Sequence, residues 1–147
     1  FGDVHAHFDL HETTDTDKST FRPATAERDG KLLEVAAANS SEIPDGFYIV
    51  GNTSTVVEYQ SAIIAGVETV THIAPCDSNS NLVGLPLCAK GVVQVPAKDY
   101  GLCMGMANAE YATTTEVYPD SPSASPEICI KAQVKVVTTG LHYLLNL

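Results

Sequence analysis

The chain has 147 residues, about the length of one domain, and a formal net charge of −10 at pH 7. So acidic a chain lacks the basic surface that nucleic acid requires, and no apolar run in it is long enough to cross a bilayer. We therefore expect a single β-rich domain over residues 1–147 that does not bind nucleic acid or insert into a membrane.

The first predicted element is a strand in "GDVHAHFDLHE", residues 2–12. Side chains alternate between the two faces of a strand, so one face carries the polar residues Asp3, His5, His7, Asp9 and His11. Two imidazoles on one face of a strand are about 7 Å apart at Cα, a spacing that suits one metal ion. The pattern predicts either that these five residues bind zinc or copper, adventitiously around His5 and His7 or at an assembly interface, or that they form the solvated face of an edge strand.

Two short motifs in this strand resemble those of known metal-protein families. His5, His7 and Glu12 spell H-x-H-x4-E, which resembles the first metal motif of the cupins, but Ile49 stands where the second cupin motif has its histidine. The stretch "DVHAHF" (3–8) resembles the first-strand motif of the amidohydrolases, whose barrel needs about 250 residues. Neither resemblance extends beyond a few residues, so neither sets the fold that we expect.

A polar segment over residues 12–30 follows and ends at the turn signal Asp29-Gly30. With the strand before it, this segment predicts an extended strand-and-loop arm over residues 1–30. Asp15 and Asp17 alternate as at the start of a calcium loop, but Thr20 replaces the glycine that a helical calcium hand requires. A looser calcium site at these two aspartates is the remaining prediction.

The rest of the chain is rich in β-branched residues, and turn signals recur between the apolar runs. Residues 31–38 predict a short strand or one helical turn. Further strands are predicted at residues 47–50, 55–59, 62–73, 91–95, 110–118 and 128–137. This pattern indicates an all-β fold, an antiparallel β-sandwich or barrel with long polar loops. In the last strand, we expect the core-facing residues to be Ile130, Ala132, Val134 and Val136.

Four cysteines, Cys76, Cys88, Cys103 and Cys129, allow two disulfides in three pairings. Their spacing matches no zinc pattern, and the apolar surroundings of Cys103 and Cys129 are equally typical of free buried thiols. Cys103 has no histidine nearby in the sequence that could activate it as a nucleophile. We therefore assign no catalytic residue, and the sequence leans towards a non-enzymatic protein.

The basic residues are unevenly distributed. No lysine or arginine occurs between Lys31 and Lys90, and the chain ends in the apolar stretch "LHYLLNL" (141–147). This middle stretch indicates either central strands or sheet edges that a partner covers. Because an apolar terminus needs a groove to dock in, Leu144, Leu145 and Leu147 are the predicted assembly interface.

These features predict a structural subunit that assembles with itself or with other structural subunits. We expect a virion coat or decoration protein, or an extracellular filament component, located at a virion surface or outside the cell. The alternative is a small secreted metal-binding protein or metalloenzyme that uses the N-terminal histidines.

Overall fold

The computed structural model describes residues 4–28, 30 and 43–147. Asp3 and residues 31–38, for which predictions were made above, lie outside these ranges. The described part contains a six-stranded mixed sheet with parallel pairs and three α-helices, and 37% of it is helical. The predicted all-β antiparallel sandwich or barrel is therefore wrong.

The strands are β1 (Ala6–Glu12), β2 (Tyr48–Asn52), β3 (Asn81–Leu82), β4 (Leu85–Ala89), β5 (Val92–Val95) and β6 (Tyr111–Val117). The helices are α1 (Arg22–Arg28), α2 (Val57–Val67) and α3 (Pro126–Leu145), with a π-helical turn at Asp17–Phe21 and a 3₁₀ turn at Cys103–Gly105. The strands predicted near residues 2–12, 47–50, 91–95 and 110–118 are confirmed as β1, β2, β5 and β6.

The strands lie in the order β1-β6-β2-β5-β4-β3. The pairs β1–β6 and β2–β5 are parallel, and the other neighbours are antiparallel. Within the described ranges, β1 and the two-residue β3 thus form the edges of the sheet. Of these two edge strands, β1, with seven residues, is the one long enough to pair with another strand.

The two faces of the sheet are covered differently. Helices α2 and α3 pack on one face and form the largest core with the sheet, which includes Ile49, Val92, Tyr111, Tyr59, Ile63, Ala132 and Val136. The opposite face carries two smaller clusters, one around Met104 and Ala112 and one around Tyr48 and Val93. The 3₁₀ turn belongs to the first of these smaller clusters, which brings it close to β1 and β6.

Helix α3 replaces the strand predicted at residues 128–137. Ser125 caps the helix by accepting a hydrogen bond from the Ile128 amide, and Pro126 occupies a first-turn position, where its missing N–H costs nothing. The buried residues recur at helical spacing, namely Cys129, Ala132, Val136 and Gly140. The predicted core positions Ile130 and Val134 are instead 64% and 58% exposed. A short run that alternates apolar and polar residues fits both periods, and packing on the sheet selects the helical one.

Helix α2 likewise replaces the strands predicted at residues 55–59 and 62–73. Its buried residues are Tyr59, Gln60, Ile63, Ile64 and Val67, a stripe of helical period. The two helices approach closely at Gly66, where an added Cβ would lie 2.4 Å from Oγ1 of Thr139. A glycine at this position therefore sets the distance between α2 and α3.

Candidate functional site

The predicted metal ligands on β1 have separate partners. His5 Nδ1 lies 3.5 Å from Glu110 Oε2, and the carboxylate of Asp9 accepts a 2.9 Å hydrogen bond from the Thr114 hydroxyl. His11 is exposed, and its backbone carbonyl oxygen accepts a 2.8 Å hydrogen bond from the side-chain amide of Gln133 on α3. Among the described residues, no three histidine, cysteine or acidic side chains are grouped to hold a metal ion.

His7 has a different kind of neighbour. Its Nε2 lies 4.0 Å from Sγ of Cys103, a residue 96 positions later in the chain. Cys103 is exposed at the start of the 3₁₀ turn, and His7 is half-buried on β1. The fold therefore supplies the imidazole that the sequence around Cys103 lacks.

The two aspartates of the predicted calcium loop act as hydrogen-bond acceptors within the chain. Asp15 accepts a 2.8 Å bond from the Tyr118 hydroxyl, and this bond raises the pKa of Tyr118 to about 12. Asp17 accepts a 2.6 Å bond from the Thr14 amide and a 3.1 Å bond from its hydroxyl. These contacts fasten the segment after β1 to itself and to the loop after β6.

All four cysteines are free thiols in the structure, which is the second of the two alternatives left open by the sequence. Cys76, Cys88 and Cys103 are exposed, whereas Cys129 is buried on α3. Burial raises the pKa of the Cys129 thiol and so keeps it in the unreactive protonated form.

Ser121, His72 and Asp45 meet in space and have the residue types of a hydrolytic triad. Oδ1 of Asp45 accepts hydrogen bonds from both of the others, at 2.5 Å from Ser121 and 3.1 Å from His72 Nε2. In a triad the imidazole lies between the serine and the carboxylate and removes the serine proton. Here the carboxylate lies in the middle, so the cluster fastens the loop at Ser121 to the turn before β2.

A groove of about 620 Å³ runs between the end of β1 and α3. We call it the β1–α3 groove, and its apolar walls are formed by Leu10, Val117, Ile130, Val134 and Val137. Leu10 is 48% exposed, and Leu141, one turn beyond Val137 on α3, is 46% exposed. Exposed apolar side chains on β1 and α3 thus lie beside the edge of the described sheet.

The predicted interface leucines are divided by α3. Leu144 packs against the main core, whereas Leu145 and Leu147 are 84% and 74% exposed. Leu144 and Leu145 are helical, so the tail as far as Leu145 is not an extended strand that could add to a sheet. In the described part of the chain, no helix has the length and apolar character to span a membrane.

Sequence reasoning missed both the Cys103–His7 pair and the β1–α3 groove. The groove had a readable signal, because Ile130, Val134, Val137 and Leu141 follow the 4-3-4 spacing of one helix face. The Cys103–His7 pair had no such signal, because no local sequence pattern connects two residues that are 96 positions apart. No protein-family model and no curated protein matches the chain.

Proposed function

We propose that this chain is a structural assembly subunit whose unit contact is a symmetric dimer formed through β1 and the β1–α3 groove. The single observation that carries the proposal is that the long β1 edge, unpaired by any described strand, and the exposed apolar stripe of α3 lie side by side. We propose that this dimer serves in a virion coat or extracellular filament.

On its outer side, the backbone of β1 has hydrogen-bonding groups that no described strand pairs with. The carbonyl of His5 accepts a bond from the Tyr111 amide, and the amide of Thr13 donates to the Val117 carbonyl. The backbone N–H and C=O groups of the odd-numbered residues of β1 therefore point towards β6. Because these groups alternate in direction along a strand, those of Ala6, Phe8 and Leu10 face the open edge.

A second copy of this chain pairs with the β1 edge and covers the apolar stripe of α3 at the same time. Two β1 strands related by a twofold axis perpendicular to the sheet pair antiparallel, and each sheet keeps the same face on the same side. The two α3 helices then meet across the joint with Ile130, Val134, Val137 and Leu141 between them. Their spacing is that of a helix–helix seam. Such an isologous contact closes as a dimer.

The test is the native mass of the chain in solution, by light scattering coupled to size exclusion. We expect twice the chain mass of 15.6 kDa. Val134→Lys and Leu10→Lys each place a charge in the joint, so each variant should run as a folded monomer with an unchanged far-ultraviolet circular dichroism spectrum. Leu145→Lys is the matched control, because Leu145 is exposed on the same helix outside the groove.

The proposal fails if the unaltered chain remains a monomer at about 100 μM, well above the micromolar range typical of weak specific contacts. It also fails if Val134→Lys associates as strongly as the unaltered chain, since the contact would then lie elsewhere. Loss of the dimer in Leu145→Lys as well would point to a general charge effect and would equally overturn it.

A further inference from the structure

The Cys103 thiol and the His7 imidazole are held by well-supported parts of the fold. His7 lies within β1, paired with β6 opposite Ala112. The 3₁₀ turn that begins at Cys103 is anchored by the fully buried Met104. At Gly105 an added Cβ would lie 2.6 Å from the Lys98 amide, so the turn packs directly against the backbone there. The pairing of β1 and the packing of the 3₁₀ turn thus fix the positions of both residues, with Sγ and Nε2 4.0 Å apart.

The second nitrogen of His7 has a different environment. Nδ1 is buried and has no hydrogen-bond partner within the described ranges. The polar contact that the imidazole does make there is with the sulfur of Cys103. A buried ring nitrogen without a partner costs free energy, and such groups in a native fold call for an explanation. The contact between Nε2 and the sulfur leaves Nδ1 unsatisfied, so the pair rests on the approach of Nε2 to Sγ and on the exposure of Cys103.

We propose that Cys103 and His7 form a reactive thiol–imidazole pair that exchanges with low-molecular-weight disulfides. His7 Nε2 takes the proton of Cys103, and the thiolate attacks one sulfur of the disulfide. A mixed disulfide forms at Cys103 as the S–S bond of the reagent breaks. The leaving thiolate receives the proton from His7, so the products are a mixed disulfide and one free thiol.

Disulfide exchange is the chemistry that this geometry favours, because it requires an accessible sulfur and a base beside it and no further catalytic group. Cys103 is exposed, and the base lies on the neighbouring strand. The other two exposed thiols, Cys76 and Cys88, are the internal reference. The inference rests on the approach of Sγ to Nε2 and does not require the proposed dimer, although His7 lies on β1, the strand through which that dimer pairs; neither residue lines the β1–α3 groove.

The first experiment uses the unaltered chain and the neutral disulfide 2,2′-dithiodipyridine at pH 7. With less than one equivalent of reagent, peptide mapping by mass spectrometry should find the label mainly on Cys103. Equal labelling of Cys76, Cys88 and Cys103 would overturn the proposal, because exposure alone would then explain reactivity.

The second experiment compares single exposed cysteines. One variant carries Cys76→Ser and Cys88→Ser, and its control carries Cys76→Ser and Cys103→Ser; buried Cys129 remains in both. We expect Cys103 to react at least about 10-fold faster than Cys88, a modest part of the 10²–10⁴-fold that a positioned base contributes.

Adding His7→Gln to the first of these variants should lower the Cys103 rate to that of Cys88. An undiminished rate in a folded His7→Gln protein would overturn the role of the imidazole. If that variant does not fold, the ratio between the two single-cysteine proteins still decides the question, because equal rates exclude a reactive pair.

Discussion

The hydroxyl of Thr13 donates a 2.8 Å hydrogen bond to Oε2 of Glu116, which lies near the end of β6. Only 9% of Glu116 is exposed, and burial raises the pKa of its carboxyl group. The hydrogen bond from Thr13 and the charge of His11 oppose this effect, and the nearby carboxylate of Asp9 adds to it. Glu116 is thus a buried acid that folding makes harder to ionise.

We expect Glu116→Gln to stabilise the protein at neutral pH. The folded pKa of Glu116 lies above its unfolded value, so its ionisation costs stability as pH rises from about 4.5 through the folded pKa. Glutamine keeps an oxygen for Thr13 and carries no charge to bury. The variant should be more stable than the unaltered protein at pH 7 and gain almost nothing at pH 4. Urea unfolding at both pH values measures this, and a gain that does not change with pH would contradict it.

Two valines on α3 should respond in opposite ways to the same substitution. Val136 is fully buried, and Val136→Asp should destabilise the protein by about 3 kcal/mol or more, because it buries an unpaired charge. Val134 is 58% exposed, so Val134→Asp should change stability by no more than about 0.5 kcal/mol. Both are best measured by thermal unfolding in the Leu10→Lys background, where we expect a monomer. Equal losses would show that residues 128–137 do not form this helix.

The carboxyl group of Asp45 should contribute stability that disappears in acid. The hydrogen bond from Ser121, and to a lesser degree the contact with His72, lowers its pKa. A lowered pKa stabilises the fold above about pH 3.8, and this contribution is lost as pH falls through the folded pKa. Ser121→Ala should cost no more than about 1 kcal/mol at pH 6, because Asp45 is partly exposed and solvent screens the interaction.

The same Ser121→Ala variant should lose less at pH 3, as measured by urea unfolding. Ser123→Ala is the control, because the backbone amide of Ser123 still donates to Oγ of Ser121 after the change. A loss at pH 3 as large as that at pH 6 would show that the hydroxyl acts independently of the Asp45 charge.

Ser125→Ala should weaken the start of α3. The serine oxygen accepts a bond from the Ile128 amide at 3.4 Å, and removal of such a cap typically costs about 1 kcal/mol. The unfolding midpoint in urea should fall with an unchanged slope, because the unfolded surface is the same. An unchanged midpoint would mean that packing on the sheet alone holds the first turn.

The sequence alone locates four of the six strands. β1, β2, β5 and β6 are β-branched or alternating runs bounded by turn residues, and their local preference agrees with their place in the sheet. It also contains the start of α3 in Ser125-Pro126-Glu127, a helix-start pattern that the alternating apolar residues after it obscure. The fold class was therefore missed at two segments, α2 and α3.

The tertiary structure decided those two segments and the candidate sites. An apolar run of about ten residues fits a strand or a helix, and only packing against the sheet and at Gly66 selects the helix that buries Ala132 and Val136 and exposes Val134. Cys103 meets His7 because the 3₁₀ turn packs beside β1, a contact between segments 96 residues apart. Local preferences act over a few residues, so they determine where strands form, whereas contacts between distant segments depend on how the sheet is ordered.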